Sequence, residues 1–596
     1  MRCKILQKLS RYRIKAVTLL FLVGFLTYSV YISVANYDVN AINDETLSSD
    51  KLATSHLHEI TKEGKTSATK YDSDSILHNK EQRIQRQHEF WDKIFTLYDE
   101  NGMNFKDSPS NLIELVEKSD ESRTKKALLS RAKMSDETVL ELKKRHARVM
   151  EKLPDEMPDF TYKKDTTGIV FIGGEKFSWL TYLAILALRE TGTKLPVEVI
   201  MPRKKDYEQE KQFCDSMLRE LDAQCVMVPD MFGDSVMKKR SFHSYQFKSI
   251  ALAISSFQHI LLLDSDNMIV SIPDLVFQSS LYKESGMITW PDYWKRTIYP
   301  KYYEIAGIKV NERKRRRYNR FPLFAPKNSE SDLEVKEGDE SVPYHDLENA
   351  VPDLSTESGQ LMINKGTHGK TILLSLYYNV YGPDIFYKLF SLGEQGEGDK
   401  DTFVAAAVAT DQNYYQVKSF IMSPGYFDDA KVFKGVAMAQ KNPLADYERF
   451  QELIIRPFEK SGKTMPVSEQ IKQLEQYAND GNEKFGSHNG LPVFTIHCNY
   501  PKLDPINYMS KEDLYDPVEN KLKYRLYDRM KYSKTIMNKS TIENVEVDFE
   551  YEQWLHIREA LCVKKLEFEF FKNQDMERLC NFISNQVDWL APDELV

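Results

Sequence analysis

Two carboxylates one residue apart close an apolar run of strand length in His259-Ile260-Leu261-Leu262-Leu263-Asp264-Ser265-Asp266-Asn267. In an extended segment the side chains at i and i+2 point the same way, so Asp264 and Asp266 converge at the strand's C-terminal end. Open α/β sheets bind their ligands at that end. Paired hard oxygen ligands, with positions left over for phosphate oxygens, suit magnesium or manganese. The chemistry implied is a divalent ion gripping the diphosphate of an activated substrate.

An Asp-x-Asp pair alone also ends ordinary strands and caps helices. A calcium-binding EF-hand is excluded, because its sixth position is Ile269 instead of glycine and its twelfth Leu275 instead of glutamate. A phosphatase of the haloacid-dehalogenase type is a minor alternative. Its Asp-x-Asp follows the first strand of the fold and has Thr or Val two residues later, where this chain has Met268.

The elements needed to hold such a pair precede it. Residues 168–174 (GIVFIGG) are a short apolar strand ending in glycines, and Leu180, Leu183, Ala184, Ala187 and Leu188 then form one helical face. Residues 197–201 are a second strand, followed by a helix over about 206–221 and a strand at 225–228. A helix carrying Phe247, Ile250, Ala251 and Ile254 leads into the strand that ends at the carboxylates, and 287–290 is one strand more. Strands alternating with helices predict an α/β fold around a parallel sheet with right-handed crossovers. Ordered structure resumes at 357–365, and 371–381 is an apolar-rich helix.

The first fifteen residues hold six basic side chains (Arg2, Lys4, Lys8, Arg11, Arg13 and Lys15) and no acid. Residues 16–35, AVTLLFLVGFLTYSVYISVA, carry no charge and are long enough to cross a bilayer. A cleaved signal peptide competes with this reading, although its apolar core is normally shorter and no convincing A-x-A site precedes Asp38. With the basic flank cytosolic, a type II membrane protein is expected. Its parts are a tail at 1–15, an anchor at 16–35 and a polar, lumenal stem at 36–75. A helical spacer or subdomain at 76–160 follows, with Phe90, Trp91, Ile94, Phe95 and Tyr98 on one helical face. A catalytic domain at 161–510 and a helical region at 511–596 complete the chain.

Insertions interrupt the domain at about 308–350 and 427–485. The first contains Arg313-Lys314-Arg315-Arg316-Arg317 and then the acidic, Ser-rich 328–340, a pattern expected to be a solvated loop. A basic lid near an anionic donor is the alternative. The whole chain has 81 basic and 89 acidic residues for a formal charge of −8. With six of the positives in the tail, the rest is too acidic for a nucleic-acid binder that relies on bulk charge. Cys214, Cys225, Cys498, Cys562 and Cys580 would face an oxidising lumen, where disulfides are permitted. The nearest pairs in sequence are Cys214 with Cys225 and Cys562 with Cys580; connectivity stays open, and one cysteine is left over. No CxxC pair is present, which argues against structural zinc, and Asn538-Lys539-Ser540 is the only N-glycosylation sequon.

Several αβ units ahead of an Asp-x-Asp, in a lumenal type II chain, resemble nucleotide-sugar glycosyltransferases of the GT-A fold. The resemblance sharpens in FKSIAL (247–252), LLLDSDN (261–267), IPDLVF (272–277), ITWPDYWKRT (288–297) and PKYYEIAG (300–307). It continues in ESGQLMINK (357–365), LLSLYYNVYGPDIFYKL (373–389) and GEGDKDTF (396–403). Taken in order over roughly 160–505, these segments are similar to the fungal Golgi α-1,2-mannosyltransferases that branch the α-1,6-mannan outer chain of N-glycans. That resemblance implies GDP-mannose as donor, Mn2+ as the ion and a mannan or N-glycan as acceptor. It further implies retention of anomeric configuration, the Golgi membrane as location, and other mannosyltransferases as partners in a complex.

Residue by residue, the resemblance gives the first βα turn, Gly173-Gly174, to the nucleotide, where glycine lets backbone approach the ligand. A late histidine and a nearby lysine, His497 and Lys502, complete the metal site and meet the phosphates; a structural histidine is the alternative. Lys248, one helix ahead of the carboxylates, reaches them or the donor, unless it is an exposed helix lysine. Trp290, Asp292, Tyr293 and Trp294 offer flat faces and a carboxylate to an acceptor sugar, against the common use of aromatics in a core. Glu357, Gln360 and Asp399 are expected to orient the transferred mannose and support its oxocarbenium-like transition state. Asp399 also fits a charge at the start of a helix over 402–409. No nucleophile is assigned, since front-face attack with the donor phosphate taking the proton needs none. The competing functions are an α-1,3-mannosyltransferase of the same pathway and a lumenal mannan-binding scaffold or lectin without turnover. The joint presence of Asp264, Asp266, His497 and Asp399 disfavours the scaffold.

Overall fold

The computed structural model describes residues 73–592, apart from 104–111, 119–121, 326–329, 462–464, 480–489 and 538–541. The tail, the apolar segment 16–35, nearly all of the stem and the sequon at Asn538 lie outside the described residues. No helix among those described is long and apolar enough to cross a membrane. Glu81–Tyr426 and Gly435–Val596 form one compact unit.

Ten strands position the site: β1 (Lys163–Ile172), β2 (Val197–Met201), β3 (Ala223–Met227), β4 (Phe257–Leu263), β5 (Asn267–Ile269), β6 (Met287–Pro291), β7 (Thr356–Asn364), β8 (Tyr415–Gln416), β9 (Met438–Lys441) and β10 (Val493–His497). Seven of them make one sheet in the order β8-β6-β7-β4-β1-β2-β3. β1 to β4 run parallel, as does β8 beside β6. β7 does not: it is antiparallel to both neighbours. The expected parallel sheet is therefore mixed. The reason is topological, because the chain leaves β6 at Pro291 and re-enters the sheet at Thr356 directly opposite, so it has to run back.

The central strands are apolar on both faces because both are covered. Val170, Ile260 and Leu262 point into one core with Trp91, Phe95 and Tyr98 of α1 (Ser73–Glu100), with α4 (Gln246–Ile254) and with α5 (Gly369–Val380). Their neighbours Ile169, Phe171, Leu261 and Leu263 point into the other core, beside α3 (Lys176–Glu190) and the C-terminal helices α7 (Phe549–Arg558) and α8 (Met576–Leu590). Truncating any of these fully buried leucines to alanine costs about 2–5 kcal/mol. Two more helices matter below: α2 (Asp136–Lys152) and α6 (Thr402–Ala409).

Two further expectations change. The basic run is neither a solvated loop nor a lid. Asn311–Arg315 is a strand paired with Leu347–Glu348. Arg315 donates to Asp346 at 2.6 Å, Arg316 to Glu348 at 2.7 Å, and Arg317 to the carbonyls of His345 and Ala350 at 2.8 and 2.9 Å. The two insertions also share a small core of their own, in which Phe321 and Leu323 meet Phe450, Ile454, Phe458 and Leu474. Finally, the C-terminal region is not only helical, since a hairpin of Lys531–Met537 with Ile542–Asp548 precedes α7. The nearest-neighbour disulfides Cys214–Cys225 and Cys562–Cys580 are both formed, leaving Cys498 as a buried thiol.

Candidate active site

Two ladders carry the site to one sheet edge. Because β7 runs against β4, Gln360 lies opposite Leu263, and the Asp264 N–H donates to the Gly359 carbonyl at 2.8 Å. A second sheet, β9-β10-β5, sets His497 opposite Asn267, and the Cys498 N–H donates to the Asp266 carbonyl at 2.8 Å. The histidine thus reaches the carboxylates by strand register, from 230 residues further along the chain. Gly359 makes room for it: a Cβ there would stand 2.6 Å from His497 Nδ1 and 2.5 Å from Glu357 Oε1.

Asp264, Asp266 and His497 each offer one donor atom within 4.8 Å of the others. His497 Nε2 is 3.3 Å from Asp266 Oδ1 and 3.9 Å from Asp264 Oδ2. Its other nitrogen, Nδ1, lies 3.1 Å from Glu357 Oε1, which fixes the ring with Nε2 toward the aspartates. A carboxylate behind a histidine in this way is the usual support of a metal-binding imidazole. Two lysines flank the pair. Lys248 donates to Asp264 Oδ2 at 2.9 Å and to the Ser358 carbonyl at 3.0 Å, and Lys502 donates to Asp266 Oδ2. The donor set of two carboxylates and an imidazole fits a divalent cation with oxygen positions to spare.

Charge is distributed unevenly here. Burial holds the Asp264 carboxyl above its ordinary range, with Lys248 and His497 opposing. Burial acts on Asp266 too, but His497 and Lys502 outweigh it and hold that carboxyl far below the usual range. Burial alone would keep His497 neutral, and Asp266 and Glu357 overcome it, so the imidazole is held well above its normal pKa. Asp399 is pushed up to about 6 by burial, with Lys248 opposing. Its Oδ1 accepts from Ser358 Oγ at 3.3 Å, and its Oδ2 has no hydrogen-bond partner although Lys248 Nζ stands 3.8 Å away.

The expected site residues separate into three groups. Asp264, Asp266, His497, Lys248, Lys502 and Asp399 come together, and Lys248 is a partly buried partner of Asp264, not an exposed helix lysine. Gly173 and Gly174 end β1 at the same sheet edge; a Cβ on Gly173 would meet Val199 and Met201 at 2.7 and 2.8 Å, and Gly174 has φ +95°. Glu357 and Gln360 are present but committed. Gln360 Nε2 donates to Glu357 Oε2 at 2.7 Å, the Gly359 N–H donates to Glu357 Oε1 at 2.6 Å, and Gln360 Oε1 accepts from Thr495 and Asn267. Both therefore position His497 and the Asn267 turn.

The aromatic segment divides further. Trp290 is fully buried, stacked on Phe494 at 5.4 Å with its indole N–H on the Lys441 carbonyl at 2.9 Å, which makes it core. Asp292 is engaged by Lys400 at 2.6 Å, and the Tyr293 hydroxyl meets Ser423. Trp294 alone of the four stays well exposed, at 39%. Sequence reasoning missed Asn267 and Lys400. Both stood inside the quoted motif segments, but nothing in a sequence marks which polar residue of a turn faces inward.

Comparison with known proteins now adds identity. Residues 166–442 match the family model described as "Mannosyltransferase putative". Alpha-1,2-mannosyltransferase MNN23 of Candida albicans is 53% identical over 517 residues, covering 85% of each chain. Alpha-1,2-mannosyltransferase MNN2 of Saccharomyces cerevisiae is 37% identical over 470 residues, covering 77% of this chain and 75% of that one. Among solved structures, the galactosyltransferase LgtC with donor and acceptor sugar analogues matches 42% of this chain and 73% of its own, at 10% identity and a TM-score of 0.23. That overlap is too small to argue from; the sequence relatives suffice, and on their identity and coverage the chain belongs to the fungal α-1,2-mannosyltransferase family.

Proposed function

We propose that this protein is a GT-A-type, Mn2+-dependent enzyme that transfers mannose from GDP-mannose to a mannan acceptor and forms an α-1,2 linkage. The observation that carries the reading is the convergence of Asp264, Asp266 and His497 between two lysines. When bound, the divalent ion would stabilise the negative charge that builds on the departing diphosphate. Lys502, half-exposed beside Asp266, is placed for a phosphate oxygen. Lys248 holds Asp264 and Ser358 in register and keeps Asp399 in reach. Asp399, with one oxygen that accepts no hydrogen bond, is the carboxylate left to orient a sugar hydroxyl. The backbone of Gly173 and Gly174, at the neighbouring strand end, fits a nucleotide approaching the same edge. The basic tail and apolar segment 16–35 support a type II placement in the Golgi membrane with the catalytic domain lumenal.

The test is direct. The full-length chain is incubated with GDP-mannose, Mn2+ and an α-1,6-mannose oligomer, and the product is digested with an α-1,2-specific mannosidase. Release of the added mannose is expected. A product that resists digestion would point to the α-1,3 linkage, and no transfer at all would remove the reading.

A further inference from the structure

Around the metal edge, one exposed aromatic residue has no part in the site described so far. Tyr245 is 49% exposed and caps the start of α4, three residues before Lys248. Residues at that spacing share a helix face. Its ring lies flat against Gly398: a Cβ on that glycine would stand 3.2–3.3 Å from Tyr245 Cδ2, Cε2 and Cγ. Gly398 itself has φ +155°, a conformation other residues rarely adopt, and it immediately precedes Asp399. One edge of the Tyr245 ring contacts Tyr387 at 6.2 Å in a T-shaped arrangement. The glycine thus lets a ring pack next in the chain to Asp399, whose buried Oδ2 has no hydrogen bond.

Two other exposed rings among the described residues are covered by lysines. Tyr500 has the Lys511 ammonium over its face at 4.5 Å, and Phe177 has Lys176 at 5.6 Å. Along the site, ion pairs link Lys502 to Asp266, Asp266 through His497 to Asp264, and Asp264 through Lys248 to Asp399, whose chain neighbour Gly398 packs on Tyr245. Lys502 is the lysine placed for a phosphate oxygen, whereas the Tyr245 ring packs on the glycine next to Asp399. An aromatic face with a polar tip suits the C–H face of a pyranose.

Resting on the mannosyl-transfer reading above, we infer that Tyr245 is the stacking platform for the acceptor hexose, set against Gly398 so that the acceptor hydroxyl meets Asp399. The sequence gives no sign of this, because a tyrosine at a helix start carries no motif.

The experiment compares the full-length chain with Tyr245→Ala, Tyr245→Phe and Tyr245→Trp, using GDP-mannose, Mn2+ and an α-1,6-mannose oligomer. Acceptor KM, GDP-mannose KM, kcat, and GDP affinity by calorimetry are measured for each. Tyr245→Ala is expected to raise acceptor KM by roughly five- to tenfold, the size of one aromatic contact. GDP affinity and GDP-mannose KM should stay within about twofold, and Phe and Trp should restore most of the loss. An unchanged acceptor KM in Tyr245→Ala would overturn the assignment while leaving the transferase reading intact. So would a parallel loss of donor affinity, which would place the ring on the donor. Absence of transfer by the unaltered chain would remove the transferase reading and this inference together.

Discussion

The carboxylate edge of the sheet and the Arg315–Arg317 run both gather charge inside the fold, and they resolve it in opposite ways. In the basic run each guanidinium has its own acid or carbonyls, supplied by residues 345–350 of the same insertion. That cluster is closed, and its role is to fold the insertion back on itself. At the carboxylate edge, three acids and an imidazole share two lysines, one aspartate is held below its normal range and another above it, and an Asp399 oxygen stays without a hydrogen bond. Uncompensated buried charge costs stability, so its persistence marks a place where a ligand completes the arrangement. Counting charges would not separate the two regions; asking which valences are already used does.

The comparison breaks most sharply at the aspartates. Asp264→Asn and Asp266→Asn should each lower kcat/KM for mannosyl transfer by about 10³-fold; Asp264→Asn should do so with no loss in melting temperature, since burial disfavours that charge, whereas Asp266→Asn should lower it, since His497 and Lys502 lose their shared partner. Initial rates and thermal unfolding on the same preparations check both halves. Behind the ligands the effect should shrink. Glu357→Gln and Gly359→Ala, one weakening the support of His497 and the other crowding it, should reduce Mn2+ affinity about 10–100-fold, read by metal titration.

The closed cluster should respond in the opposite sense. Arg315→Ala leaves Asp346 buried without its main partner and should cost about 3 kcal/mol of stability in denaturant titration. Below the new melting transition its kcat/KM should remain within about twofold of the unaltered chain. A neutral buried group gives a third and smaller case. His146 on α2 is fully buried against the Tyr378 hydroxyl at 2.7 Å, and burial lowers its pKa from 6.5 to about 4. The unfolded chain takes up a proton between those values that the folded chain refuses. Its contribution is therefore complete above pH 6.5 and is lost as the pH falls toward 4. Between pH 6.5 and 4.5 the unaltered chain should lose about 2 kcal/mol more stability than His146→Gln, measured by urea unfolding at both pH values.

What the sequence made legible follows the same division. The strand ending in Asp264-Ser265-Asp266 was readable from local pattern, because period and burial are local properties. Lys248, His497 and Lys502 came from family resemblance, and strand register then explains how they arrive. The reversal of β7 was not readable, since Thr356–Asn364 is equally apolar in either direction. Trp290 was misplaced because a strand covered on both faces loses the alternation that would tell inward from outward. The arginines were misread because their partners Asp346 and Glu348 lie some thirty residues away, beyond an acidic stretch that looked equally able to pair with them.

The central claim is that Asp264, Asp266 and His497 hold one divalent ion that in turn holds the donor diphosphate. Calorimetric titration of GDP into the full-length chain, with and without Mn2+, and into Asp266→Ala, measures this most directly. The account predicts GDP binding that requires Mn2+, with one ion per chain, and that disappears in the variant. GDP binding that persists in the presence of a chelator, or survives Asp266→Ala unchanged, would contradict it.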